Sequence, residues 1–181
     1  RVALVLDNSR SSTGNRAKRN RPLAVAWATA ALFQAAAVKS GGVCTLHWTH
    51  PEDDLLALRP VGPTRLADPL LDALGTRPNL VVLVSDGYEN DPPGAAVEVV
   101  RIYRERIDPE RRTRLLHLNP AYDDCDYTPQ ALGATVPTLG VRNAEDIPSV
   151  LGFARFVDSS GDLAALQAHL EELANSLIRG G

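Results

Sequence analysis

The sequence predicts an α/β fold: a three-layer, doubly wound, mostly parallel central sheet with one antiparallel edge strand and helices on both faces. Three observations predict it. Residues 2–6 and 80–84 are unbroken apolar runs of strand length, as expected of strands buried on both faces. Helical segments alternate with the strand-like ones, and such alternation favours parallel pairing through right-handed crossovers. Small polar residues follow the strands at once, Asp7 after the first and Ser85-Asp86-Gly87 after 80–84. In sheets of this kind the strand C-termini share one edge, and ligands bind there.

In chain order, residues 2–6 form the first strand and a polar, glycine-containing loop covers 7–21. Pro22 suits the first turn of a helix reaching residue 39, which Gly41-Gly42 stop. Residues 43–48 form a second strand, and 55–61 a strand pairing back on it as a hairpin, the source of the antiparallel edge. A loop at 62–64 leads into a short helix over 65–74. Strand 80–84 precedes an amphipathic helix over 95–107 with Val97, Val100 and Tyr103 on one side. Strands at 113–118 and 136–141 flank a long loop. Helices follow at 144–156 and 162–178, the last with Leu163, Leu166, Leu170, Leu173 and Leu177 at helical spacing.

A length of 181 residues fits one domain spanning 1–181. No apolar run approaches the ~20 residues that cross a bilayer, so no membrane partner is expected. The alanine-rich stretch 23–38, broken by Thr29 and Gln34, reads as a buried helix. The net charge of −3 gives no global argument for nucleic acid. The chain opens inside its first strand without Met or signal peptide, as a domain excised from a longer protein would. Cys44 and Cys125 make no disulfide framework, and with no signal peptide this favours the cytoplasm. Arginine outnumbers lysine and alanine is abundant, which points to a GC-rich bacterial coding sequence.

The chemistry is carried by Asp7-Asn8-Ser9-Arg10-Ser11, by Thr64 in the loop before a helix, and by Asp86 just after a strand. All supply small oxygen ligands from loops. Hydroxyls, carboxylates and water suit a hard cation such as magnesium, with manganese or calcium as alternatives. The same residue types also cap helices and turns, which is the bland alternative.

Asp-x-Ser-x-Ser, a separate Thr and a later Asp-Gly, in that order and in strand context, resemble the metal-ion-dependent adhesion site of von Willebrand factor A domains. The resemblance covers nearly the whole chain in element order. It implies a Rossmann-like sheet, Ser9, Ser11 and Thr64 as direct hydroxyl ligands, and Asp7 and Asp86 acting largely through water. It implies an ion open on one side, whose shell is completed by a Glu or Asp of a partner protein, and no catalysis. More weakly, residues 83–90, 117–120 and 136–147 resemble the C-terminal A domain of bacterial Ro-type RNA-binding proteins, the TROVE family. There the domain follows an RNA-binding ring of helical repeats. No such ring is present here, so RNA is expected only indirectly, through a parent protein.

Arg10, Arg16, Lys18, Arg19 and Arg21 crowd the loop after the metal motif. They read either as a solvated loop or as a basic collar steering an acidic ligand to the ion. Arg10, Arg16, Arg19 and Glu89 are the candidate partner contacts. Arg104, Arg106, Arg111, Arg112 and Arg114 are interspersed with Glu105, Asp108 and Glu110, so surface pairing accounts for them. Asp123, Asp124 and Asp126 lack the glycine and closing glutamate of a calcium loop. His47 and His117 lie in strands and read as packed residues. Two competing functions stand beside the binding module. One is an assembly role in a Ro-type ribonucleoprotein. The other is a phosphate-ester hydrolase with Asp7 as nucleophile, against which Ser9 occupies the position where a second acid would be wanted.

Overall fold

The computed structural model describes residues 1–14, 19–54, 57–121 and 130–149. Five strands, β1 (Val2–Leu6), β2 (Cys44–Trp48), β3 (Leu80–Val84), β4 (Arg114–Asn119) and β5 (Thr138–Gly140), form one sheet in the order β2-β1-β3-β4-β5. Every pairing is parallel, with Leu6 opposite Trp48 and Val84, and Val84 opposite Leu118. This is the Rossmann-like α/β sheet that the apolar runs predict.

Strand direction follows from the connections. Parallel neighbours need a crossover, and α1 (Arg21–Ser40), α2 (Ala67–Gly75) and α3 (Ala95–Ile102) supply three of them. α3 continues as a π turn over Tyr103–Ile107. The chain leaves β1 toward β2, then returns past β1 to form β3. Strand order therefore reverses at the β1–β3 boundary, the place where open parallel sheets leave a crevice beyond their strand C-termini.

Side chains alternate across the sheet. Ala3 and Val5 of β1, Val81 and Leu83 of β3 and Leu115 of β4 join Leu70 and Ala73 of α2 and Val100 of α3 in one buried cluster. The inward face of α3 is Ala96, Val100 and Tyr103, and Val97 is exposed, contrary to the expected stripe.

α1 starts with Pro22 in its first turn and stops at Gly41, whose φ of 65° admits the left-handed cap. It packs on β1 and β2 through Val25, Ala26, Thr29 and Ala30. Its second half is not buried as expected: Leu32 and Val38 are exposed. α1 has the length and the mean hydropathy, 1.3, of a membrane-crossing segment, a measure that core helices of soluble proteins also meet.

The antiparallel edge strand is not formed across the described residues 57–61 of the expected hairpin. Instead Val61 N–H donates to Asn8 O and Gly62 O accepts from Arg10 N–H, so this stretch is stitched to the loop after β1 rather than to β2. The apolar content of 55–61 predicts a strand, but among its described residues Val61 gives its N–H to the loop after β1.

By compactness the chain divides into two units, Arg1–Ala144 and Glu145–Gly181. In the second, only residues 145–149 are described: the end of a 3-10 turn (Ala144–Asp146) followed by helical residues 147–149. Arg16, Lys18, residues 55–56, Asp123, Asp124, Cys125, Asp126 and the expected helix at 162–178 lie outside the described residues.

Candidate metal centre

β1 ends at Leu6, and the next three residues are buried. Asp7 N–H still donates to Val84 O at 3.0 Å, so the carboxylate emerges at the strand end beside β3. Its Oδ1 accepts the Ser9 N–H at 2.8 Å, and its Oδ2 accepts the Ser85 hydroxyl at 3.0 Å. Asn8 points the other way, its amide donating to His50 O and accepting from His50 N–H. Ser12 N–H and hydroxyl then both donate to Ser9 O, closing a 3-10 turn over Arg10–Thr13. That turn folds residue 11 back, and the Ser9 and Ser11 hydroxyl oxygens lie 3.0 Å apart. The Ser-x-Ser spacing thus becomes a pair of adjacent oxygens.

Thr64 joins them from a loop 55 residues away, with its hydroxyl 2.8 Å from that of Ser9. The stitching of Val61 and Gly62 to residues 8 and 10 brings the loop in. Asn90 holds it, accepting the Thr64 N–H on its Oδ1 at 2.9 Å.

Asp86 is 5% exposed and lines one cleft with Asp7, Ser11 and Ser85. Its pKa is pushed up to about 6, first by burial and second by the negative charge of Asp7. The Tyr88 N–H and the hydroxyls of Ser11 and Ser85 pull it partly back. No cationic side chain is among the described groups acting on it. Gly87 follows at a φ of 83°, and a Cβ there would lie 2.7 Å from Gln130 O, so the turn after Asp86 needs glycine.

β4 supports this turn from beneath. His117 is fully buried, and its Nε2 must carry a proton to donate to Ser85 O at 2.9 Å. Its Nδ1 then accepts from the Thr138 hydroxyl. Burial lowers its pKa to about 4, which keeps the ring neutral. Asn119 Nδ2 donates to Asp86 O at 3.1 Å.

The fold therefore gathers all five predicted ligands, Asp7, Ser9, Ser11, Thr64 and Asp86, at one sheet edge. Arg10 and Arg19 are exposed. The carboxylate of Glu89 is engaged by the protein's own backbone: its Oε1 accepts from Leu66 N–H and Ala67 N–H, and its Oε2 from Ala96 N–H. Thr49, whose hydroxyl donates to Asp7 Oδ1 at 3.3 Å, and Asn90, His117 and Asn119 join the site without a motif of their own, although Ser85 and Asn119 each carry a polar group at the end of an apolar strand.

Among the described residues no group of three or more His, Cys, Asp or Glu is disposed to hold a metal. The set here is of another kind, with three hydroxyls and two carboxylates. Oxygens on neighbouring corners of a magnesium octahedron lie roughly 2.9 Å apart, and the hydroxyl spacings of 2.8 and 3.0 Å match that edge. The same spacing lets the hydroxyls hydrogen-bond one another. Two buried carboxylates opposed mainly by neutral donors are the environment a cation would relieve, so the donor chemistry fits a hard divalent ion. In comparisons with known proteins, no family model, no curated protein and no solved structure matches the chain.

Proposed function

We propose that this chain is a von Willebrand factor A-type domain that holds magnesium at Asp7, Ser9, Ser11, Thr64 and Asp86 and uses it to bind an acidic side chain of a partner protein. The observation that carries the reading is the run of hydroxyl oxygens from Thr64 through Ser9 to Ser11, 2.8 and 3.0 Å apart, beside two buried carboxylates at the strand-order switch. Ser9, Ser11 and Thr64 would contact the ion, and Asp7 and Asp86 would act largely through water. Neutral hydroxyl ligands leave the ion electrophilic, and that is the chemistry it supplies: affinity for an incoming carboxylate. Asp7 meanwhile orders the Ser9 backbone, and Ser85 orders Asp7. Exposed Arg10 and Arg19 would raise the association rate of an acidic partner at low salt.

The test is calorimetric titration of the metal-stripped protein with magnesium and then manganese, beside Asp7→Ala and Ser9→Ala. One saturable site in the wild type, lost in both variants while they stay folded, is the expected result. Loops that take up neither ion at millimolar concentration would rule the reading out. A phosphate-ester hydrolase built on Asp7 would declare itself by turnover of a generic ester that disappears in Asp7→Asn.

A further inference from the structure

We infer that Glu89, with Asn90 beside it, is a positioning clamp that sets where the Thr64 hydroxyl stands relative to Asp86. The inference rests on the metal-site reading above. Helix N-termini leave backbone N–H groups without intrahelical partners. Neither α2 nor α3 supplies its own side-chain cap: Leu66 at the start of α2 has none to offer, and Gly94 before α3 has no side chain. Glu89 caps both. Its Oε1 takes the Leu66 and Ala67 N–H groups, each at 2.9 Å, and its Oε2 takes the Ala96 N–H at 2.6 Å. One carboxylate therefore ties together two helix N-termini, where negative charge is also favoured by the helix dipoles.

The next residues extend the tie toward the site. Asn90 Oδ1 accepts the Thr64 N–H at 2.9 Å, and Thr64 O accepts the Asn90 and Asp91 N–H groups at 3.3 Å. Arg65 pairs with Asp91, Nε to Oδ2 at 2.7 Å. Residues 64–67 are thus bound by residues 89–91, and Glu89 lies only three residues beyond Asp86. Thr64 arrives from a loop and Asp86 from a strand end. This clamp is a direct link between the two segments, and Thr64 is the oxygen whose place the local sequence around Ser9 and Ser11 does not determine.

The experiment measures manganese affinity by calorimetry on the full chain for wild type, Glu89→Ala, Glu89→Gln, Thr64→Ala and the Glu89→Ala/Thr64→Ala double variant. Amide exchange at Leu66, Ala67 and Ala96 is followed in the metal-free proteins. Glu89→Ala is expected to weaken binding about 10–100-fold, as loss of a group that orients metal ligands does, and to speed exchange at the three amides. Glu89→Gln keeps one oxygen acceptor and is expected to fall between, which serves if the alanine variant does not fold. Added to Thr64→Ala, Glu89→Ala is expected to weaken binding less than about twofold further, since its effect runs through Thr64. Additive losses would mean a general structural role and overturn the clamp. So would a folded Glu89→Ala that binds within about twofold of wild type. A wild type that binds no manganese would overturn the metal-site reading and this inference with it, an outcome recognisable before any variant is compared.

Discussion

Asp86 and His117 sit one strand apart and titrate in opposite senses. The folded-state pKa of Asp86 is raised from 3.8 to about 6, so its charge destabilises the metal-free fold above that pH, and the penalty fades as pH falls toward 3.8. The folded-state pKa of His117 is lowered from 6.5 to about 4, so the unfolded chain takes up a proton there first, and stability is lost as pH falls from 6.5 to 4. Each contribution is on the order of 3 kcal/mol. In the metal-free wild type they nearly cancel between pH 6 and 4. Asp86→Asn leaves the His117 contribution unopposed. Urea unfolding at pH 7 and 4.5, in chelator, is expected to show a far larger acid loss in Asp86→Asn than in wild type. Equal losses would contradict these assignments.

Elements in this fold are joined by buried polar groups as well as by apolar ones. After the π turn at Tyr103–Ile107, the chain re-enters the sheet through Asp108, which is 7% exposed. Asp108 accepts the Arg112 and Thr113 N–H groups and pairs with the Arg104 guanidinium at 2.8 Å. The basic stretch expected to pair on the surface does so in part: Arg112 meets Glu110, whereas Glu105 pairs with Arg101, which lies outside that stretch. The Arg104–Asp108 pair is the buried member of that set. Removing one partner of a buried pair strands the other, so Asp108→Ala is expected to destabilise the protein by about 3–5 kcal/mol in urea unfolding. Removing an exposed partner, as in Glu110→Ala, is expected to change stability by less than about 1 kcal/mol.

At the scale of the whole molecule, a ligand that binds only the folded state adds its binding energy to stability. Magnesium at a hundred times its dissociation constant should add about 2.7 kcal/mol, which corresponds to a rise of roughly 5–10 °C in the thermal midpoint of a protein this size. The rise is expected in wild type and absent in Ser9→Ala, measured by calorimetric or fluorescence melting. A wild-type midpoint indifferent to magnesium would argue against the site.

The sequence by itself determined the parallel strands of the α/β sheet and the edge on which Asp7, Ser9, Ser11 and Asp86 collect. Buried parallel strands carry a local signal, an apolar run with a polar residue at its end, as at Val2–Leu6 with Asp7 and Leu80–Val84 with Asp86. Ser9 and Ser11 were also legible, because a 3-10 turn converts spacing two into adjacency. The tertiary structure alone decided the partners that lie far apart in the chain. Residues 57–61 look strand-like but form no strand, and Val61 bonds to the loop after β1. Glu89 reads as a candidate partner contact, yet its carboxylate caps two helices. The supports that His117 and Asn119 give to the Ser85–Asp86 turn cross more than thirty residues of sequence. Such bonds depend on where the fold leaves backbone groups without a partner, and no local pattern records that.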